Sequence, residues 1–497
     1  MSDVDQAAAG RRWGVLATVC CAQFIFGVDA LAVNVALPTI AGDLHASPAQ
    51  LQAVMALYFV GYATLVVTGG RLGDIFGTRN VFFCGVLGFT LASLWCGCAR
   101  SGTELVLART VQGAAAALMI PQVLATIHVL FNDHSRGRAF GVYGIVLGVA
   151  GAGGFLLGGA LVTANFAGFG WRTIFFLNVP VGIAIMAATL WLMPAHVRRP
   201  GTSLDIPGAV VLFLGLLCLV GPLPWGRDFG WSAGVWACIG AGVLVLIGFV
   251  RLEFRLAARG GMPLVDIALF GNTAFMRGLC AVFFLFFANL SFYLVTSLYV
   301  QEVLRISPLG TGLLFVPPAL IFVLASQHGV ARGKRGGVTP LIGGSTVQLV
   351  GLIALACVVG LNANPPLWLM TGAFVVYAYG QGLVLAPMSS AVLASVPVAA
   401  AGAASGMYAT IVQGANAAGL AGVGAIYLTA ASALSAPAAL LAAFSGIAVA
   451  ILAGIAGLRW MRSVTQEGAP AIGHPVPRAG DVEPGGDDPH RPSAEIA

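Results

Sequence analysis

Residues 13–37 read WGVLATVCCAQFIFGVDALAVNVAL, a run with one charged side chain, Asp29. A helix of about 20 apolar residues spans the hydrocarbon core of a bilayer. This run is too long for the apolar core of a signal peptide, and further runs follow it. It therefore reads as a spanning helix, and the bilayer becomes the solvent against which the rest of the chain is read. Composition agrees. The 497 residues are 59% hydrophobic and 8% charged, with a mean hydropathy of +0.93. Soluble domains carry about 25% charged residues, so this chain has too few to cover a water-facing surface. In lipid, backbone polar groups must be paired within the chain, which favours helices.

Fourteen such runs follow one another, at about 13–37, 51–70, 80–98, 103–127, 139–163, 171–193, 206–224, 233–250, 274–300, 309–329, 338–360, 367–392, 405–430 and 436–460. The expected fold is an all-α polytopic membrane protein with 14 transmembrane helices. Residues 13–193 would form one six-helix bundle and residues 274–460 a second, with an inserted helix pair, 206–250, between them. Residues 1–12 read as a short polar cytoplasmic tail. Residues 465–497, rich in Pro, Gly and Asp, read as a disordered cytoplasmic tail.

Arg and Lys orient the chain, because they concentrate on cytoplasmic loops. With the N-terminus in the cytoplasm, seventeen fall inside, whereas Arg100, Arg172, Arg227 and Arg305 fall outside. A missed span would invert everything after it, so this split supports the count and places both termini in the cytoplasm. The net charge of +6 follows from topology and gives no reason to expect nucleic acid. The nine cysteines lie almost entirely within apolar runs and read as small core residues. Cys96 and Cys98 have no His or carboxylate at metal spacing, so neither a metal nor another cofactor is expected.

Two loops echo each other. Gly70-Arg71-Leu72-Gly73-Asp74-Ile75-Phe76-Gly77-Thr78-Arg79 follows the second span, and Ala331-Arg332-Gly333-Lys334-Arg335-Gly336-Gly337 follows the tenth. Both are short, basic and glycine-rich, as expected of two related bundles. Gly70, Gly73, Asp74, Gly77 and Arg79 would form a gating loop, with Asp74 capping a helix and pairing across the cytoplasmic face.

Of the 18 acidic residues, the other seventeen fall in tails, loops or helix ends, leaving Asp29 well inside a span. Such a carboxylate costs about 2.5–3.5 kcal/mol on insertion scales and usually marks an ion or substrate pathway. Arg109 is the basic residue at comparable depth. At 1.5 Å per residue, Asp29 lies about 12 Å from Leu37, and Arg109 about 9 Å from Thr103. The two are expected to meet as a proton-coupling pair, with Arg109 favouring the ionised carboxylate when close. Polar residues within spans are Gln23, Asn34, Gln112, Gln122, Asn289, Gln348, Gln381, Gln413 and Asn416. About half are expected to be interhelical hydrogen bonds. Asn34 and Gln112 are the strongest candidates for the coupling network, with Gln381, Gln413 and Asn416 facing the pathway. Tyr58, Tyr62 and the aromatic run Phe283, Phe284, Phe286, Phe287, Phe292 and Tyr293 are candidate pocket residues, although most of the Phe run should face lipid or packing.

Five segments together carry a resemblance. The segment GRLGDIFGTR is similar to the loop between helices 2 and 3 of the major facilitator superfamily. Four more narrow the match to its fourteen-helix drug:proton antiporter family: Asp29 to Pro38 as D-x-x-x-x-N-V-A-L-P, Arg109 to Gly113 as R-x-x-Q-G, Trp171 to Pro180 as W-R-x-I-F-x-x-N-V-P, and Gly402 to Gly406 as G-x-A-S-G. The resemblance covers nearly all of residues 13–460. It implies a monomeric antiporter of bacterial plasma membranes that takes up protons while exporting small hydrophobic drugs or antibiotics. One departure stands out. The family's helix 5 usually reads G-P-x-x-G-G, and here Gly154, Phe155, Gly158 and Gly159 put Phe where Pro is expected. Phe cannot free a backbone carbonyl or kink the helix as Pro does, while the glycines still permit close helix contact. The alternative is therefore an uptake symporter or metabolite permease on the same fold. No nucleophile–base pair or metal-ligand set suggests an enzyme, and no G-x-x-x-x-G-K-[ST] loop suggests nucleotide-driven transport. Without a second membrane carboxylate, neutral, monocationic or weakly acidic substrates are expected over dications.

Overall fold

The computed structural model describes residues 3–131, 133–194, 204–261, 263–362, 364–397 and 400–467. The described residues are almost entirely helical. The first half holds α1 (Asp3–Leu44), α2 (Pro48–Phe76), α3 (Thr78–Cys98), α4 (Gly102–Leu130), α5 (Asp133–Ala164) and α6 (Arg172–Leu192). An inserted pair follows, α7 (Ile206–Val220) and α8 (Ala233–Ala258). The second half holds α9 (Thr273–Leu298), α10 (Pro308–Gly336), α11 (Thr339–Leu361), α12 (Leu367–Leu393), α13 (Ala401–Ala433) and α14 (Ala436–Glu467). Thirteen of these are long and apolar enough to cross a membrane, and α7 is a shorter apolar helix of 15 residues.

The halves share one packing plan. In the first, α2 packs on α4, α3 on α4 and α6, and α1 on α5. In the second, α10 packs on α12, α11 on α12 and α14, and α9 on α13. The halves meet where α2 lies on α13 and α5 on α10. The inserted helices pack on each other, with α7 also against α2 and α13.

A constant register underlies this plan. Ser47 caps α2 by accepting from the Gln50 backbone N–H, and Pro48 fills the first turn. Ser307 caps α10 in the same way through Gly310, ahead of Pro308. Proline is favoured there because its missing N–H would have no helical partner. Gly69 on α2 backs onto the Ala117 carbonyl of α4, and Gly329 on α10 onto the Leu383 carbonyl of α12. Gly77 (φ 89°) ends α2, and Gly337 (φ 55°) ends α10. Ser47, Pro48, Gly69, Gly73 and Gly77 thus recur as Ser307, Pro308, Gly329, Gly333 and Gly337, each 260 positions later.

These observations correct several boundaries. The segment Gly70–Arg79 is not a loop: α2 continues through Phe76, and α3 starts at Thr78, with Gly77 alone between them. A single positive-φ residue suffices to turn the chain, and only glycine adopts it without strain. Residues 331–336 likewise belong to α10. The backbone of α1 begins at Asp3, inside the stretch expected to be a tail, and ends at Leu44, beyond Leu37. Helix α8 runs to Ala258, past the expected end at residue 250. Of the expected disordered tail, residues 468–497 lie outside the described residues.

Candidate functional site

Asp29 and Arg109 meet inside the first half. An Arg109 guanidinium N–H donates to Asp29 Oδ2 at 2.5 Å, and both side chains are fully buried. Two neutral amides complete the carboxylate's shell. Gln112 Nε2 donates to Asp29 Oδ1 at 3.1 Å, and Asn178 Nδ2 donates to the same oxygen at 3.0 Å. Gln112 Oε1 also accepts from Arg109 at 2.7 Å. Ser93 of α3 accepts from Gln112 at 2.8 Å and from Asn178 at 3.3 Å. Four helices, α1, α3, α4 and α6, therefore converge on one carboxylate. Isolated buried charge is prohibitive, whereas a pair with its lone pairs satisfied is tolerated.

The guanidinium's remaining N–H groups, at Nε and Nη2, have no hydrogen-bond partner. They lie against aromatic faces, with the Arg109 Cζ 4.0 Å from the Tyr58 ring centroid and 5.7 Å from that of Phe175. Such contacts gain strength where water is excluded. Tyr58 is held in place because Gly113 of α4 backs directly onto its carbonyl, a contact that leaves no room for a Cβ. Phe26 stacks on Tyr58 and packs tilted against Tyr62, at 6.1 and 5.3 Å between centroids.

The second half holds a neutral counterpart. Gln381 Nε2 donates to Asn289 Oδ1 at 2.7 Å, and Tyr293 donates its hydroxyl hydrogen to Gln381 Oε1 at 2.9 Å. These three residues line a cavity between the halves of about 150 Å³, smaller than the usual small-molecule site of roughly 300–1,000 Å³. Leu31 of α1, Phe155 of α5 and Phe322 of α10 supply apolar walls. Phe155 is packed 5.1 Å from Tyr293 and 4.8 Å from Phe315, between ring centroids.

The cavity and the ion pair share α1. Gly154 on α5 abuts Val28 and Leu31, and Gly158 abuts Ala32. Residues 28–32 of α1 therefore carry Asp29 into the first half while pressing on α5, whose Phe155 faces the cavity. Gly159 lies against the Pro308 carbonyl, and Gly312 against that of Phe155. At this end the halves touch backbone to backbone. Gln52 of α2 adds hydrogen bonds to the carbonyls of Leu420, at 2.9 Å, and Ala421. Toward the Gly77 end the approaches are through side chains, Gly148 to Val323 and Gly406 to Val67, and a Cβ added at Gly141 or Gly144 would meet nothing.

Not every expected residue joins these clusters. The Asn34 side-chain oxygen is buried without a partner, while its backbone carbonyl accepts from Ser297 of α9 at 3.4 Å. Tyr62 and Gln413 lie beside each other across the α2–α13 contact, and Asn416 donates to Gln413 at 3.1 Å. Gln122 and Gly73 lock α4 to α2, Gln122 donating to the Gly69 carbonyl at 2.7 Å. Asp74 is exposed at the end of α2, and Arg79 donates to the Leu190 carbonyl of α6 at 2.8 Å. Of the helix 9 aromatics only Tyr293 lines the cavity; Phe292 stacks on Tyr377 at 3.9 Å within the second half. Ser93, Asn178 and Gln52 were missed. Asn178 carried a signal, its place in the Trp171–Pro180 motif. Trp171 and Arg172 of that motif both bond Asp43 at the end of α1, Trp171 at 3.0 Å.

Residues 19–420 match the Major Facilitator Superfamily. The cephamycin export protein of Amycolatopsis lactamdurans is 34% identical over 420 residues, covering 82% of this chain and 83% of that one. The tetracenomycin C resistance and export protein of Streptomyces glaucescens is 30% identical over 420 residues, covering 84% and 76%. A crystal structure of the peptide transporter POT with sulfate superposes with a TM-score of 0.66 at 15% identity, covering 94% of this chain and 99% of that one.

Proposed function

The chain belongs to the major facilitator superfamily, and on that premise we propose that it is a proton-coupled antiporter exporting small hydrophobic drugs or antibiotics. Asp29 carries the proton. In the state described, three donors meet its oxygens and the side chain is fully buried. Proton uptake needs a second arrangement in which Arg109 withdraws, because a protonated carboxyl accepts fewer of these bonds. The substrate occupies the cavity lined by Phe155, Tyr293, Asn289 and Gln381. Binding there presses on α5 and, through Gly154 and Gly158, on the α1 segment that bears Asp29.

The chain lies in the plasma membrane as a monomer, with both termini in the cytoplasm, as the distribution of Arg and Lys supports. The end closed backbone to backbone is then the outer one, and the Gly77 end faces the cytoplasm. Export in this direction is supported by the two relatives named for export, and Phe155 does not oppose it: the glycines of α5 give the close contacts that a proline kink would otherwise arrange.

The single observation that carries this reading is the fully buried Asp29–Arg109 pair, ringed by Gln112, Asn178 and Ser93. Asp29→Asn tests it in proteoliposomes driven by a pH gradient. Loss of gradient-driven drug transport with retained drug binding is expected; transport at the wild-type rate refutes the proposal.

A further inference from the structure

The inserted helix pair buries two acids of its own at the Gly77 end of the bundle. Glu253 of α8 is 0% exposed, and Asp205, just before α7, is 6% exposed. Glu253 Oε2 accepts from the Val265 backbone N–H at 2.8 Å. Asp205 Oδ1 caps α7 by accepting from the Gly208 N–H at 2.8 Å. The second oxygen of each group, Glu253 Oε1 and Asp205 Oδ2, is buried with no partner. These orphaned oxygens converge beside Gly208. A Cβ placed there would strike Asp205 Oδ2 and lie 2.7 Å from Glu253 Oε1. Both oxygens thus approach one point, and two carboxylates alone have no hydrogen to bond across it.

Charge balance points the same way. Arg71 of α2 lies in the field of both acids. It donates to the carbonyls of Pro263 and, at 3.3 Å, Leu264, in the segment that also supplies the Val265 N–H. Helix α7 brings no charge, and Arg251 and Arg255 on α8 are exposed. Beyond Val265, Asp266 is engaged with the Ala268 N–H at 3.0 Å. Among the described residues one cation, Arg71, lies in the field of the two carboxyl groups, a set that is neutral when one proton is bound.

We propose that Asp205 and Glu253 form a second proton-binding site, in which one proton shared between Asp205 Oδ2 and Glu253 Oε1 fastens the inserted pair to the end of α2. Binding the proton satisfies both orphaned oxygens. Losing it leaves two anions against each other in a dry space, so the attachment of α7 and of segment 263–265 loosens as pH rises. The site is separate from the Asp29 cluster and stands independently of the antiporter reading.

Infrared difference spectra of the full chain in lipid test this directly. A protonated carboxylic acid carbonyl band is expected in the wild type and in Asp29→Asn, and its loss is expected in both Glu253→Gln and Asp205→Asn. Thermal unfolding gives a second readout. The wild-type midpoint should fall as pH rises, because the folded state holds a proton that the unfolded chain releases. Glu253→Gln, whose amide hydrogen replaces the shared proton, should lose that dependence. A band surviving in both variants, or Glu253→Gln keeping the wild-type pH profile, overturns the proposal. If Glu253→Gln does not fold, Asp205→Asn alone decides by the same two criteria. Neither measurement involves transport, so failure of the antiporter reading would leave the outcome interpretable.

Discussion

Counted back from its Ser-Pro helix start, each half carries a polar residue nineteen positions earlier: Asp29 before Pro48 and Asn289 before Pro308. Around Asp29 the first half assembles an arginine, two amides and a serine, and seals them completely. Around Asn289 the second half assembles only Gln381 and Tyr293, and leaves them facing a cavity. The repeat supplies the scaffold twice and the charge once. A buried carboxylate is tolerated only with its donors in place, whereas an amide cluster is neutral and can exchange its partners with a ligand at small cost. On the proposed function, the difference separates ion handling from substrate contact within one packing plan.

Removing the cation should produce the largest effect. Arg109→Ala leaves Asp29 buried without its partner, and losing one member of a buried pair costs about 3–5 kcal/mol. Detergent-solubilised protein should show a clearly lowered unfolding midpoint together with loss of gradient-driven transport. A midpoint equal to that of Gln381→Ala would erase the contrast between the halves.

Importing charge into the second half is the reciprocal change. Asn289→Asp places a carboxylate where no arginine waits, at a penalty of about 2.5–3.5 kcal/mol while it is ionised. Protonation removes the penalty, so the variant should approach wild-type stability as pH falls and lose stability as pH rises. Unfolding midpoints across pH check this, and a pH-independent deficit would mean that the damage is packing alone.

The matched turns should break alike. Gly77→Ala and Gly337→Ala each force a side chain into a positive-φ backbone, a strain of about 1–3 kcal/mol. Both should lower the midpoint by similar amounts, and an effect confined to one would show that the repeat is unequal at its Gly77 end. The smallest change expected is Gln381→Leu, about 1 kcal/mol for a lost hydrogen-bonded amide. Its larger consequence should be altered substrate preference at unchanged pH dependence, read from a drug panel and a pH profile.

Helices were legible because lipid leaves the backbone no other arrangement, and the long apolar runs therefore marked them despite shifted ends. The GRLGDIFGTR stretch was misjudged because glycine and charge imitate a loop, whereas only Gly77 there takes a backbone that a helix excludes. Asp29 was found by eliminating every other acid, and Arg109 by depth. The two side chains do meet, although α1 ends at Leu44 and projects beyond its apolar run. Glu253 was placed outside the spans because the apolar run fades near residue 250, while α8 itself continues and buries it. Ser93, a short hydroxyl common in membrane helices, gave no sign of its role.

By itself the sequence determined that this chain lives in a bilayer, how many apolar runs it carries, and that Asp29 sits deep within one of them. Those properties follow from transfer energies, which are set residue by residue. Tertiary structure alone decided that Asn178 and Ser93 close the shell of Asp29, that Phe155 walls a cavity, and that Asp205 meets Glu253. Each of these depends on which faces of distant helices are pressed together, and a hydrogen bond of about 3 Å is decided only by that packing.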